Sequence, residues 1–146
     1  MHVIGLDPGQ RTGVAHFDDG QLVALATTAP AALADMLDEH LPGMLIFEDS
    51  RLQSHTWARS TNVAAMRKIA RNVGQVDAWC DLISQLCVIR HIPFVSVSPR
   101  AKGRKLGASA FAQVCGWTRR SNQHERDAAM VAWRYRHGFQ EGQEHE

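Results

Sequence analysis

An α/β fold on a mixed sheet is predicted by three features of the chain. Near the N-terminus an Asp18-Asp19-Gly20 turn joins two strand-like runs, a hairpin signal that fixes an antiparallel pairing. A helical period over 29–40 separates the apolar runs Val3-Ile4-Gly5-Leu6 and Met44-Leu45-Ile46-Phe47, and a helical crossover sets two such strands parallel. A second helical period over 61–90 leads into another strand, Pro93-Phe94-Val95-Ser96-Val97, so the alternation of strand and helix continues.

Each element has a local reason. Val3 to Leu6 is apolar throughout and stops at Asp7-Pro8-Gly9, as a buried strand bounded by a turn does. Gly13 to Phe17 and Gln21 to Ala26 flank the hairpin turn, so the chain opens with a three-stranded antiparallel unit. Thr28 is the predicted N-cap of a helix from Ala29 to His40, with Leu33, Met36, Leu37 and Leu41 on one face and Pro42-Gly43 ending it. Met44 to Phe47 is a buried strand, and Glu48 at its end then emerges at the same sheet edge as Asp7. Residues 49–60, with Arg51, His55, Trp57 and Arg59, show no period and are read as a loop.

From Thr61 to Arg90 apolar residues recur at Val63, Met66, Ile69, Val73, Val76, Trp79, Cys80, Ile83, Leu86 and Cys87. This is a long amphipathic helix with a bend expected at Gly74, and its polar face opens basic with Arg67, Lys68 and Arg71. Ser98-Pro99 turns the chain into a basic run, followed by a short helix over 109–115 and a last one over 123–137. Residues 140–146 read as a polar tail, and no repeat or linker divides residues 1–139, which are read as one domain.

At 146 residues and 45% apolar content, the chain can bury about two-thirds of its unfolded surface in one core. No apolar stretch approaches the roughly 20 residues of a membrane span, and the N-terminus lacks a basic lead and cleavage site, so a cytoplasmic protein with no membrane partner is expected. Three cysteines without a C-x-x-C pair argue against a disulfide framework or a cysteine zinc site; Cys80 and Cys87 share a helix face as small core residues.

Charge is segregated. Residues 1–50 hold one basic and eight acidic residues, whereas residues 51–120 hold twelve basic and two acidic. Such a basic block is the footprint of a polyanion partner, or else a solvated surface whose charges mix on folding.

Three acidic residues are delivered rigidly by apolar runs: Asp7 and Glu48 close strands, and Asp127 opens Ala128-Ala129-Met130-Val131-Ala132-Trp133. Carboxylates converging on one rim repel unless cations lie between them, so a divalent-metal site is expected. Oxygen ligands suit Mg²⁺ or Mn²⁺. His124 lies three residues before Asp127, on the same helix face, and can ligate metal or act as general base. Asp49 and Glu125 are expected to point away from the site, and Asp18 and Asp19 are explained by turn chemistry.

With these residues in view, Gly5-Leu6-Asp7-Pro8-Gly9 and Thr12-Gly13-Val14-Ala15 resemble the opening motif of RuvC-type Holliday junction resolvases. Ile46-Phe47-Glu48 is similar to their second acidic position, and His124-Glu125-Arg126-Asp127-Ala128-Ala129 to their terminal motif. The resemblance implies a ribonuclease H-like fold, a mixed five-stranded sheet with helices on both faces. It also implies Asp7, Glu48, His124 and Asp127 around two Mg²⁺ or Mn²⁺ ions, branched DNA as substrate, and 5′-phosphate and 3′-hydroxyl products. A homodimer is implied as well, for which the 61–90 helix is the expected surface.

Arg100, Lys102, Arg104 and Lys105 form the densest basic run, either a phosphate-binding track with Arg67, Lys68 and Arg71 or a solubilising loop. Trp57 beside Arg59 either stacks on an unpaired base or packs in the core. Where such resolvases carry a further lysine in the short helix, this chain has Phe111. Two other readings stand beside the resolvase: a YqgF-type RNA-processing nuclease, whose opening motif is similar, and a non-catalytic nucleic-acid-binding module on the same fold. An actin-like ATPase needs a second lobe that 146 residues cannot hold.

Overall fold

Asp19 and Gly20 both take positive φ, 49° and 82°, the two-residue turn whose twist matches that of its flanking strands. The turn joins β2 (Thr12–Asp18) to β3 (Gln21–Thr28) with Asp18 opposite Gln21. The computed structural model describes residues 1–53, 62–101 and 103–139, so Trp57, Arg59, Lys102 and the 140–146 tail lie outside the described residues. β1 (His2–Asp7) pairs antiparallel with β2, Asp7 facing Gly13, and parallel with β4 (Met44–Glu48), Leu6 beside Phe47. β5 (Phe94–Val97) adds parallel to β4, giving the order β3-β2-β1-β4-β5. The mixed sheet is the one predicted.

Strand parity sorts the core into two layers. Ile4, Leu6, Val14, Leu45 and Phe47 pack against Leu33 and Leu37 of α1 (Leu33–His40) and Cys80, Ile83 and Cys87 of α2 (Val63–Ile89). The alternate residues Val3, Ala15, Phe17, Met44 and Ile46 pack against Phe111 of α3 (Ala108–Cys115) and Ala128, Ala129, Val131 and Ala132 of α4 (Gln123–Ala132). Central β1 is therefore covered on both faces, which its unbroken apolar run requires.

The structure departs from expectation at several ends. Thr28 stays in β3 and does not cap a helix; Pro30–Ala32 form a 3₁₀ turn capped by no side chain, and the α-helix begins at Leu33. Pro30 has its φ preset and lacks an N–H to satisfy, so this start needs little capping. α1 stops at Leu41, in the left-handed region at φ 42°, because Pro42 disfavours the helical conformation in the residue before it. α4 ends at Ala132 and tightens into a 3₁₀ turn, Trp133–Tyr135, where the sequence predicts α-helix to His137.

α2 is continuous through Gly74 and is capped by Asn62, whose side chain accepts from the Ala64 and Ala65 N–H groups. Its buried residues are Cys80, Ile83 and Cys87, while Val63 and Ile69 on the predicted apolar face stand exposed. A helix of 27 residues is about 40 Å long, far longer than the strands beneath it, so its first half overhangs the sheet. Among the described residues no helix is long and apolar enough to cross a membrane.

Candidate functional site

Two glycines bring the last helix onto the sheet. Gly5 of β1 lies under α4 so closely that a Cβ would strike the Ala128 carbonyl and come within 2.7 Å of the Ala132 Cβ. A Cβ on Gly13, opposite Asp7, would overlap the His124 carbonyl. Asp7 has the parity of Val3, and Glu48 that of Met44 and Ile46, so both face the α4 side where their strands end.

The first turn of α4 is fixed by a reciprocal cap. The Asn122 side chain accepts from the Glu125 N–H at 2.9 Å, and the Glu125 carboxylate accepts from the Asn122 N–H at 3.0 Å. Thr27 of β3 joins this pair, donating to Glu125 at 3.3 Å and accepting from the Asn122 amide at 2.8 Å. Glu125, expected to point away from the site, is thus a capping residue. The cap presents His124 and Asp127 to the ends of β1 and β4.

The four residues predicted from sequence line one cleft of about 500 Å³: Asp7, Glu48, His124 and Asp127. His124 Nδ1 lies 3.5 Å from Asp7 Oδ2. Asp127 is buried, and the Gln123 amide donates to its Oδ1 at 2.8 Å and to the Leu106 carbonyl at 3.3 Å. Lys105 Nζ stands 3.9 Å from Asp127 Oδ2, and Arg11 lines the cleft beyond the Pro8-Gly9-Gln10 loop. Gln123 and Arg11 were not anticipated. Gln123 precedes Asp127 by four residues, a helical contact spacing that marks it in retrospect; Arg11 carries no such signal. Three carboxylates and one imidazole line a single opening, and as donor types they suit a hard divalent cation, for which carboxylate oxygen is preferred. Among the described residues their ligand atoms are not drawn together as tightly as those of His2, His16 and His40.

Asp49, next to Glu48, turns the other way and is fully buried. It accepts from Arg51 at its backbone N (3.0 Å), Nε (2.9 Å) and Nη2 (2.8 Å), and Arg51 continues to Asp81 and Ser84 of α2. Burial pushes the Asp49 carboxyl up, but the Arg51 guanidinium and N–H, with the Ser96 hydroxyl, more than offset this and hold it below the ordinary range. Asp49 belongs to the scaffold behind the cleft, as expected.

The basic residues fall into two groups. Lys105 reaches the cleft, and Arg104 lines an adjoining groove that also touches Asp127. Arg100 is exposed on the 3₁₀ turn after β5, and Arg67, Lys68 and Arg71 are exposed on the overhanging half of α2. Phe111 is wholly buried against the sheet and α4, so α3 offers no cation at that position, while Lys105 of the preceding loop stands within 4 Å of Asp127.

No protein-family model matches the chain, and no curated protein does. Two solved structures of RuvC from Thermus thermophilus are similar in fold. One, in complex with a Holliday junction substrate, superposes with a TM-score of 0.61 at 16% identity, covering 92% of this chain and 92% of that one. The other has a TM-score of 0.58 at 15% identity, covering 92% and 93%. The mixed five-stranded sheet with helices on both faces is a ribonuclease H-like fold.

Proposed function

We propose that this protein is a metal-dependent endonuclease that cuts branched DNA, with the four-way Holliday junction as its substrate. The observation that carries the reading is the convergence of Asp7, Glu48 and Asp127 with His124 in one cleft, on a fold similar to that of a junction-bound RuvC. Asp7, Glu48, His124 and Asp127 would hold Mg²⁺ or Mn²⁺. Such ions, when bound, activate a water for attack on phosphorus and offset the charge of the leaving oxygen.

The chain's own side chains supply the rest. Gln123 fixes the Asp127 carboxylate through its 2.8 Å hydrogen bond. The imidazole of His124, 3.5 Å from Asp7, would serve in one of two ways, as a ligand to the ion or as the base that takes a proton from the attacking water. Lys105 and Arg11 at the rim attract the scissile phosphate and its neighbours. Arg104 in the adjoining groove, and the exposed Arg100, Arg67, Lys68 and Arg71, would contact further phosphates of the substrate. Two symmetric nicks across a junction need two active sites, and the exposed Val63 and Ile69 of α2 suit a homodimer contact. The products are 5′-phosphate and 3′-hydroxyl ends.

The test is incubation with labelled four-way junction, linear duplex and structured RNA, with and without Mg²⁺ or Mn²⁺, beside Asp7→Asn. Metal-dependent paired nicks in the junction, lost in Asp7→Asn, are expected. An intact junction in the presence of metal overturns the proposal, as does an Asp7→Asn protein that cuts like the parent. Cleavage of RNA alone would favour an RNA-processing nuclease.

A further inference from the structure

At the opposite end of β1 from Asp7, about 16 Å away along the strand, three histidines from three elements meet. His2 opens β1, His16 lies in β2, and His40 is the last residue of α1. His16 sits opposite Ile4, so His2 and His16 are diagonal neighbours on the sheet face that α1 covers. Leu33 and Leu37 pack α1 onto that face beside Ile4 and carry His40 to the same spot. His2 Nε2 and His16 Nδ1 are 2.9 Å apart. The ring centroids of His16 and His40 are 4.6 Å apart, and those of His2 and His40 5.6 Å.

We propose that His2, His16 and His40 form a second metal site, selective for a nitrogen-preferring divalent ion of the zinc class and independent of the carboxylate cleft. One ring nitrogen from each histidine lies within 4.8 Å of the other two. Zinc–imidazole bonds of about 2.0 Å put tetrahedral ligand nitrogens about 3.3 Å apart, so closing the site needs only small side-chain rotations. His40, exposed at the helix end, is the ring with room to make them.

One further feature suits a cation here: the carbonyl end of α1, where His40 sits, carries partial negative charge. Three imidazoles make a tripod with its fourth position toward solvent, on the exposed side of His40. Imidazole donors favour Zn²⁺, Co²⁺, Ni²⁺ or Cu²⁺ over Mg²⁺. A bound ion would clip the start of β1 and β2 to the end of α1.

The full chain is titrated with Zn²⁺ by calorimetry in excess Mg²⁺, which occupies the carboxylates, and with Co²⁺ followed by its visible d–d bands. One Zn²⁺ per chain is expected, with Co²⁺ bands that Zn²⁺ displaces and a melting temperature raised by Zn²⁺. His40→Ala, at an exposed position that leaves the metal-free melt unchanged, weakens Zn²⁺ at least tenfold; His2→Gln does the same, and Asp7→Asn has no effect. The proposal is overturned if Zn²⁺ fails to bind in excess Mg²⁺, if both histidine variants bind it like the parent, or if Asp7→Asn abolishes binding.

Discussion

Gly13 lies directly against the backbone carbonyl of His124, with no room for a methyl group between β2 and α4. The contact sets the height of α4 above the sheet, and with it the 3.5 Å approach of His124 to Asp7. Gly13→Ala must lift the first turn of the helix or bend β2. Overpacking of this kind costs about 1–3 kcal/mol, and a displacement near 1 Å at a reacting centre costs roughly a hundredfold in rate. The variant is expected to melt lower yet remain folded, and to lose the proposed nuclease activity far out of proportion. Thermal unfolding and junction cleavage measured on one preparation check this; parent-like cleavage would show that the height of α4 does not govern the site.

Asn122 acts on the same turn from its end. Its side chain and Glu125 satisfy each other's backbone N–H groups, and Thr27 ties both to β3. Asn122→Ala removes the cap at a cost of about 1 kcal/mol and releases the residues that carry Gln123 and His124. Asn122→Ser or Asn122→Asp keeps a capping oxygen and is expected to recover most of both stability and activity. Chemical denaturation with turnover measurements across the three variants decides the point.

Asp7 and Glu48 could be read from the sequence because each ends an apolar strand, and strand ends in a parallel pair share an edge. Asp127 was legible because it opens an apolar helical run, and His124 from the terminal motif that it shares with Asp127, three residues on along the same helix face. What brings the helix to the strands was not legible: Gly5 and Gly13 look like unremarkable strand glycines until the close carbonyls of α4 are known. The histidine tripod depends on the diagonal register of His2 and His16 and on where α1 stops, neither of which periodicity reports. The overhang of α2 escaped for a related reason. Hydrophobic period shows that a face is apolar, not whether anything covers it, and Val63 and Ile69 belong to an apolar stripe that outruns the sheet.

Arg51 holds the buried Asp49 carboxylate through three hydrogen bonds. Arg51→Ala leaves that charge desolvated and costs about 3 kcal/mol at neutral pH. The pH dependence separates parent from variant. In the parent the Asp49 carboxyl is held below its unfolded value, so its contribution is complete above pH ~4 and is lost as pH falls through the folded pKa. In the variant burial is opposed only by the backbone N–H of position 51 and the Ser96 hydroxyl, so the carboxyl rises relative to the parent: the deficit is greatest at neutral pH and shrinks as acid protonates the carboxyl. Unfolding free energies of the two proteins between neutral pH and pH 4 should therefore converge; parallel curves would mean that the ion pair is not what stabilises Asp49.

Lys105 stands at the mouth of the cleft with its ammonium 3.9 Å from Asp127 and its side chain 69% exposed. So exposed a pair adds little to stability, and Lys105→Ala should shift it by less than about 0.5 kcal/mol. Its electrostatic effects on the two proposed ligands have opposite signs. Toward DNA it is an attractive charge, so its loss should weaken junction binding and reduce the slope of log affinity against log salt by about 1. Toward a divalent ion held by Asp127 it is a repulsive charge at short range, so its loss should tighten Mn²⁺ binding. Mn²⁺ affinity by electron paramagnetic resonance, set beside junction affinity over a salt series, reads both. A variant that weakens DNA and metal together would mean that Lys105 shapes the cleft by packing, and one that moves neither would remove it from the site.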